Sequence, residues 1–276
     1  MVRIPSTAGR KSVSSSSGVR RRKSMQAVLY VSHGSRVEET RSEAVACIEK
    51  AQAHVNVPLS QICYLEIASP NVADGVKELV QKGATEIAVI PVLLLSAGHY
   101  YKDLPEEIKQ MQERFPSVTF TYGKPLGVQE RLVDVLVDRL KAVTDTEPTS
   151  LNLLLVGRGS RSPETKRDIE SIAHMLKSKT NASNVDVCYL AACGPTFEEG
   201  LTTSLSREGE GTVVVPYLWF TGLLIHSMQD RMEELKREGY SIEMTHYLQD
   251  HPGIVEALAG RVKEALQNKE SFPVRS

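Results

Sequence analysis

The sequence predicts an α/β protein: two tandem, homologous, doubly wound parallel-sheet domains facing a central cleft. Three observations predict it. Short, near-continuous runs of Val, Ile and Leu mark parallel strands covered on both faces. Each run is followed by an amphipathic helical pattern, the alternation from which a doubly wound sheet is built. The order then restarts, with the same short motifs returning 125 residues later.

Taken in order, the first-half strand runs are Ala27–Ser32, Ile62–Ile67, Glu86–Leu95 and Thr119–Tyr122, and the helical patterns are roughly Val37–Val55, Val72–Lys82, Leu104–Phe115 and Val128–Val143. In the second half, L-L-V-G-R-G-S-R at 154–161 echoes L-Y-V-S-H-G-S-R at 29–36. Y-L-A-A-C-G-P at 189–195 echoes Y-L-E-I-A-S-P at 64–70, and V-P-Y-L at 215–218 echoes I-P-V-L at 90–93. Three separate matches at one spacing read as a tandem duplication. The domains are placed at residues 25–143 and 151–268, joined by the polar, Pro-containing linker 144–150, with 269–276 as a tail.

Composition sets the outer bounds. A length of 276 residues suits one or two domains, and 41% hydrophobic with 24% charged residues is ordinary for a globular chain. The longest apolar stretch, Ile87–Leu95, is far short of a membrane span, so no membrane is expected as a partner. A net charge of −1 argues against a nucleic-acid partner. Cys47, Cys63, Cys188 and Cys193 show no C-x-x-C pair or zinc-type spacing, and read as buried thiols in a cytoplasmic protein rather than an iron–sulfur site or a disulfide scaffold. Residues 1–24 hold seven Arg or Lys and no acid, so the remaining 26 basic against 34 acidic residues leave the body near −8. This Ser/Arg-rich segment is expected to be disordered. It reads as a leader ahead of a natural start at Met25, against a transit peptide or a nucleic-acid or membrane-surface arm.

Differences between the halves locate the chemistry. Gly34, Ser35, Arg36 and Pro70 recur as Gly159, Ser160, Arg161 and Pro195, which marks them as architectural. His33, by contrast, becomes Arg158, Glu66 becomes Ala191, and His99 falls opposite Leu223 or Leu224, although a two-residue shift would bring His226 opposite it. His33, Glu66 and His99 all sit at or just past carboxyl ends of predicted parallel strands, where open α/β sheets bind ligands. Two imidazoles and a carboxylate there suit a divalent metal or acid–base catalysis. The bland alternative for each alone is a loop or capping residue. His54, His174, His246 and His251 read as surface or packing residues. No P-loop and no G-x-G-x-x-G motif supports a nucleotide site.

V-S-H-G-S-R at 31–36, Y-L-E-I-A-S-P at 64–70 and I-P-V-L-L-L-S-A-G-H-Y-Y-K-D-L-P at 90–105, with the degenerate second copy, resemble the class II tetrapyrrole chelatases. The long two-domain sirohydrochlorin ferrochelatases and cobaltochelatases (SirB and CbiX type) are the most similar group, over about residues 25–267. The resemblance implies a tetrapyrrole in the cleft and insertion of Fe²⁺ or Co²⁺ into sirohydrochlorin. The metal is then a substrate, with no permanently bound cofactor. It implies that His33 and His99 are the active-site histidines, as metal ligands and proton acceptors, with Glu66 beside them. Arg36, Lys102, Arg158 and Arg161 are candidates to pair with the substrate's carboxylates, and equally could be solvated surface charges. The cobalt branch includes members with a His-rich tail and a cysteine cluster, features not seen here, which favours iron; the assembly is expected to be a monomer or homodimer. Two rival readings remain: a non-catalytic tetrapyrrole or metal carrier, and a hydrolase-like enzyme with Ser35 or Ser69 as nucleophile. No G-x-S-x-G elbow supports the latter, and Ser35 recurs in the half without the histidine.

Overall fold

The computed structural model describes residues 24–96 and 102–267. His99, the neighbouring Gly98, most of the predicted basic tail and the 269–276 tail lie outside the described residues. Two four-stranded, all-parallel sheets follow the predicted order. The first half runs β1 (Gln26–Ser32), α1 (Glu38–Ala53), β2 (Leu59–Tyr64), α2 (Val72–Gln81), β3 (Glu86–Pro91), α3 (Leu104–Arg114), β4 (Thr119–Tyr122) and α4 (Glu130–Lys141). After a 3₁₀ turn at Pro148–Ser150 come β5 (Leu151–Gly157), α5 (Pro163–Thr180), β6 (Asn184–Tyr189), α6 (Phe197–Leu205), β7 (Gly211–Tyr217), α7 (Leu223–Arg237), β8 (Ile242–Met244) and α8 (Pro252–Gln267). Strand order is β2-β1-β3-β4 in one sheet and β6-β5-β7-β8 in the other. Among the described residues no helix is long and apolar enough to cross a membrane.

Alternation along each strand divides its side chains between two cores. Val28 and Tyr30 of β1 and Ala88 and Ile90 of β3 enter a central core, which continues into Leu153 and Leu155 of β5 and Val213 and Val215 of β7. Ala27, Leu29, Val31, Ile87 and Val89 point the other way, under α2 and α3. Leu154, Val156 and Val214 do the same beneath α6 and α7. The halves therefore share one continuous middle core, flanked by two private ones.

Packing crosses the boundaries that the repeat suggests. Helix α8, last in the chain, lies on α1, α4, β3 and β4 of the first half, while α4 lies on α5 and β7 of the second. Each half thus lends its final helix to the other sheet. Two arginines fasten the exchange: Arg139 of α4 donates from Nη2 to the Leu248 carbonyl at 3.0 Å, and Arg261 of α8 donates from Nη2 to the Leu126 carbonyl at 2.6 Å. Burial of the Arg139 guanidinium lowers its pKa from the ordinary arginine value.

Two strands differ from the sequence expectation. β2 covers 59–64 rather than 62–67, because the chain leaves the sheet in a tight turn at Ile67, where φ is 69° and the Ala68 N–H donates to the Glu66 carbonyl at 2.7 Å. β3 ends at Pro91 rather than Leu95. The Leu93 and Leu94 carbonyls accept from Leu126 and Gly127 instead, so the apolar run peels off the sheet. Those residues become a wall of the cleft.

Candidate active site

The site grows from a turn built twice. Past β1 and β2, the Glu66 N–H donates to the His33 carbonyl at 3.1 Å; past β5 and β6, the Ala191 N–H donates to the Arg158 carbonyl at 3.0 Å. Gly34 and Gly159 follow with φ of 93° and 91°, and a Cβ there would stand 2.0 Å from the Glu66 oxygen or 1.9 Å from the Ala191 oxygen. Only glycine fits such an approach. Ser35 and Ser160 each accept, on Oγ, the N–H two residues on, at 3.1 Å in both cases. Asn71 and Thr196 cap the next helices, α2 and α6. The framework is the same in both halves, and the side chains mounted on it differ. Ser35 serves this framework, which disfavours the hydrolase reading.

Between the sheets, at the carboxyl ends of β1, β3, β5 and β7, lies a cleft of about 520 Å³, within the size range of small-molecule sites. His33, half-buried, and Arg36 line it from the first half, and Arg158 lines it from the second. Glu66 is exposed and joined to His33 through the backbone, but it is not among the lining residues. Arg161 and Lys102 are exposed and also outside the lining. Among the described residues no three His, Cys, Asp or Glu side chains group closely enough to hold a metal ion. His99, the third member of the expected set, lies outside them. His226, its possible counterpart, is exposed in the first turn of α7, 3.4 Å from the Thr221 hydroxyl.

The walls are apolar, formed by Val92 to Leu95 on one side and Leu218 to Phe220 with Leu223 and Leu224 on the other. Tyr217 also lines the cleft, and burial pushes its phenol well above the usual range, so it stays neutral. The pairing of Leu126 and Gly127 with the Leu93 and Leu94 carbonyls is repeated by Leu248 and Gln249 on Leu218 and Trp219, so the two walls are equivalent pieces of chain.

Sequence reasoning missed four contributors. Arg41 lines the cleft, its Nη1 donating to the Ser35 carbonyl at 2.5 Å. Trp219 and Phe220 stack in the second wall with centroids 5.1 Å apart. Glu43 of α1 reaches across the halves, accepting from the Thr221 N–H at 2.7 Å, the Tyr247 hydroxyl at 2.5 Å and Gln249 Nε2 at 3.0 Å. Trp219, the lone tryptophan, directly follows a recognised repeat and was the one available signal. Arg41 and Glu43 sit in a helix whose hydrophobic pattern says nothing about the partner half.

The chain is similar to known proteins over both halves. The CbiX family model matches residues 27–143 and again 152–265. A sirohydrochlorin ferrochelatase of Priestia megaterium is 42% identical over 245 residues, 89% of this chain and 92% of that protein. A sirohydrochlorin cobaltochelatase of the same organism is 32% identical over 250 residues, 89% of this chain and 81% of that protein. The structure of SirB from Bacillus subtilis with Fe³⁺ superposes with a TM-score of 0.81 at 38% identity, covering 87% of this chain and 95% of that one.

Proposed function

The chain belongs to the CbiX family, and we propose that it is a sirohydrochlorin ferrochelatase, inserting Fe²⁺ into sirohydrochlorin to give sirohaem. The observation that carries this reading is the cleft itself, with His33 on one side, Arg158 on the other and apolar walls between. Its apolar walls suit a flat macrocycle, and its cationic rim suits a ring bearing carboxylates. Arg36 and Arg158 are the lining cations assigned to those carboxylates.

Metallation exchanges two pyrrole N–H protons for one divalent ion. An imidazole titrating near neutrality can accept such a proton or ligate the ion. His33 is assigned both tasks together with His99, and Glu66, held next to His33 by the backbone, receives protons or adds charge that retains the cation. Ligation must stay incomplete, because the ion has to leave for the macrocycle. Two imidazoles and one carboxylate leave coordination positions open for that transfer.

Cobalt insertion is the second reading, supported by the 32% identical cobaltochelatase; the higher identity to the ferrochelatase supports iron. The visible spectrum of sirohydrochlorin, followed with Fe²⁺ or Co²⁺ and with or without protein, tests both. Faster insertion with Fe²⁺ is expected. A larger acceleration with Co²⁺ would reassign the metal, and binding without acceleration would make the protein a carrier.

A further inference from the structure

The two walls of the cleft are equivalent in backbone and both are apolar, but the polar groups beside them differ. The first half contributes a histidine to the lining; among the described lining residues the second half contributes no His, Asp or Glu. Its apolar wall runs on from Leu218 and Trp219 through Phe220 to Leu223 and Leu224. Leu223 leaves 75% of its surface exposed and lines the cleft together with Phe220 and Leu224, a large apolar side chain open to a ligand rather than covered by the fold.

This wall is also held rigidly. Thr221, between Phe220 and Leu223, is fixed at both backbone groups: its N–H donates to Glu43 at 2.7 Å, and its carbonyl accepts from the Thr40 hydroxyl at 2.9 Å. Tyr247 and Gln249 hold the same Glu43 carboxylate in place. A preordered surface loses little entropy when a ligand lies on it.

We infer that the second half is the platform for the macrocycle: Phe220, Leu223 and Leu224 cover one face of the ring, and the metal enters from the opposite, His33-bearing side. This rests on the chelatase reading. The ring is flat and apolar and its carboxylates are peripheral, so an apolar floor with Arg158 at the same wall matches it in shape and charge. Duplication then explains the division of labour. One copy keeps the groups that handle cations, and the other gives them up for surface that excludes water from the far face.

Trp219 supplies the measurement. It is the only tryptophan, 6% exposed, and stacks on Phe220, so its emission reports occupancy of the platform. Metal-free sirohydrochlorin is titrated into the full chain while Trp219 quenching is followed. Wild type and His33→Ala are expected to titrate alike. Leu223→Asp is expected to weaken binding roughly tenfold and to raise the KM for sirohydrochlorin in proportion, with kcat within about twofold. Leu223→Phe is expected to restore both. Far-UV circular dichroism checks that Leu223→Asp, altered at an exposed site, remains folded. Coincident titrations of Leu223→Asp and wild type, with wild type still inserting iron, would overturn the platform alone. Loss of binding in His33→Ala would overturn it too, by moving the binding surface to the first half. A wild-type protein that binds sirohydrochlorin and inserts no metal would instead remove the chelatase reading.

Discussion

His33 and Arg158 occupy one position in two copies of the same turn and line one cleft from opposite sheets. The carbonyl of each accepts an equivalent N–H, and each precedes a glycine of nearly identical positive φ. The backbone that presents a potential metal ligand on one side presents a permanent cation on the other.

Exchanging the chemistry at these two places should separate two kinetic effects. His33→Ala removes a proton acceptor and ligand, and is expected to lower kcat by roughly 100-fold or more with little change in sirohydrochlorin binding. Arg158→Ala is expected to raise KM several-fold, as loss of one charge-assisted contact does. Steady-state kinetics at varied sirohydrochlorin and Fe²⁺ concentrations check both.

The duplicated glycines separate fold from site. Gly159→Ala forces a Cβ against the Ala191 carbonyl and should destabilise the chain by about 2 kcal/mol or more, as urea unfolding would show. Gly34→Ala meets the Glu66 carbonyl in the same way. It should cost similar stability and also reduce kcat, because it displaces the turn carrying His33 and Glu66. Equal kcat in the two variants would count against a role for that turn.

Glu43 ties the halves together. Glu43→Ala leaves the Thr221 amide, the Tyr247 hydroxyl and the Gln249 amide without their shared acceptor, a loss of about 2–3 kcal/mol at roughly 1 kcal/mol per bond. Burial and the Glu43 hydrogen bond hold the Tyr247 phenol above its ordinary pKa, so it remains a donor at any working pH. Red-shifted Trp219 emission before global unfolding would mark the freed wall.

His251 gives the stability a pH dependence. Burial, and then the nearby Arg139, hold its pKa below the ordinary value of about 6.5, outweighing Asp138, 3.7 Å away, and Asp250. Below that ordinary value the unfolded chain binds a proton that the folded chain resists, so stability rises with pH there. The contribution is complete above about pH 6.5 and is lost as pH falls through the folded value. Urea unfolding between pH 7.5 and 5 should show a shallower decline for His251→Asn than for wild type.

The parallel strands, their alternation with helices and the duplication were legible in the sequence because they are written locally: apolar runs, turn residues and a constant spacing. The same holds for the family and for His33, whose loss from the second copy is visible by alignment of the chain with itself. Strand ends were less legible. Leu93 to Leu95 are as apolar as the strand before them, and only their pairing with the loop after β4 takes them out of the sheet.

Which groups meet across the cleft could not be read from the chain. The exchange of α4 and α8, the grip of Glu43 on Thr221 and the placing of Arg41 and Phe220 in the lining join residues far apart in sequence. Local pattern fixes which face of each element is apolar, because periodicity alone decides which side chains lie together on a strand or helix. It does not decide which of two similar sheets that face will cover. Here the choice was made by the shared central core, which is completed only when each half takes the other's last helix.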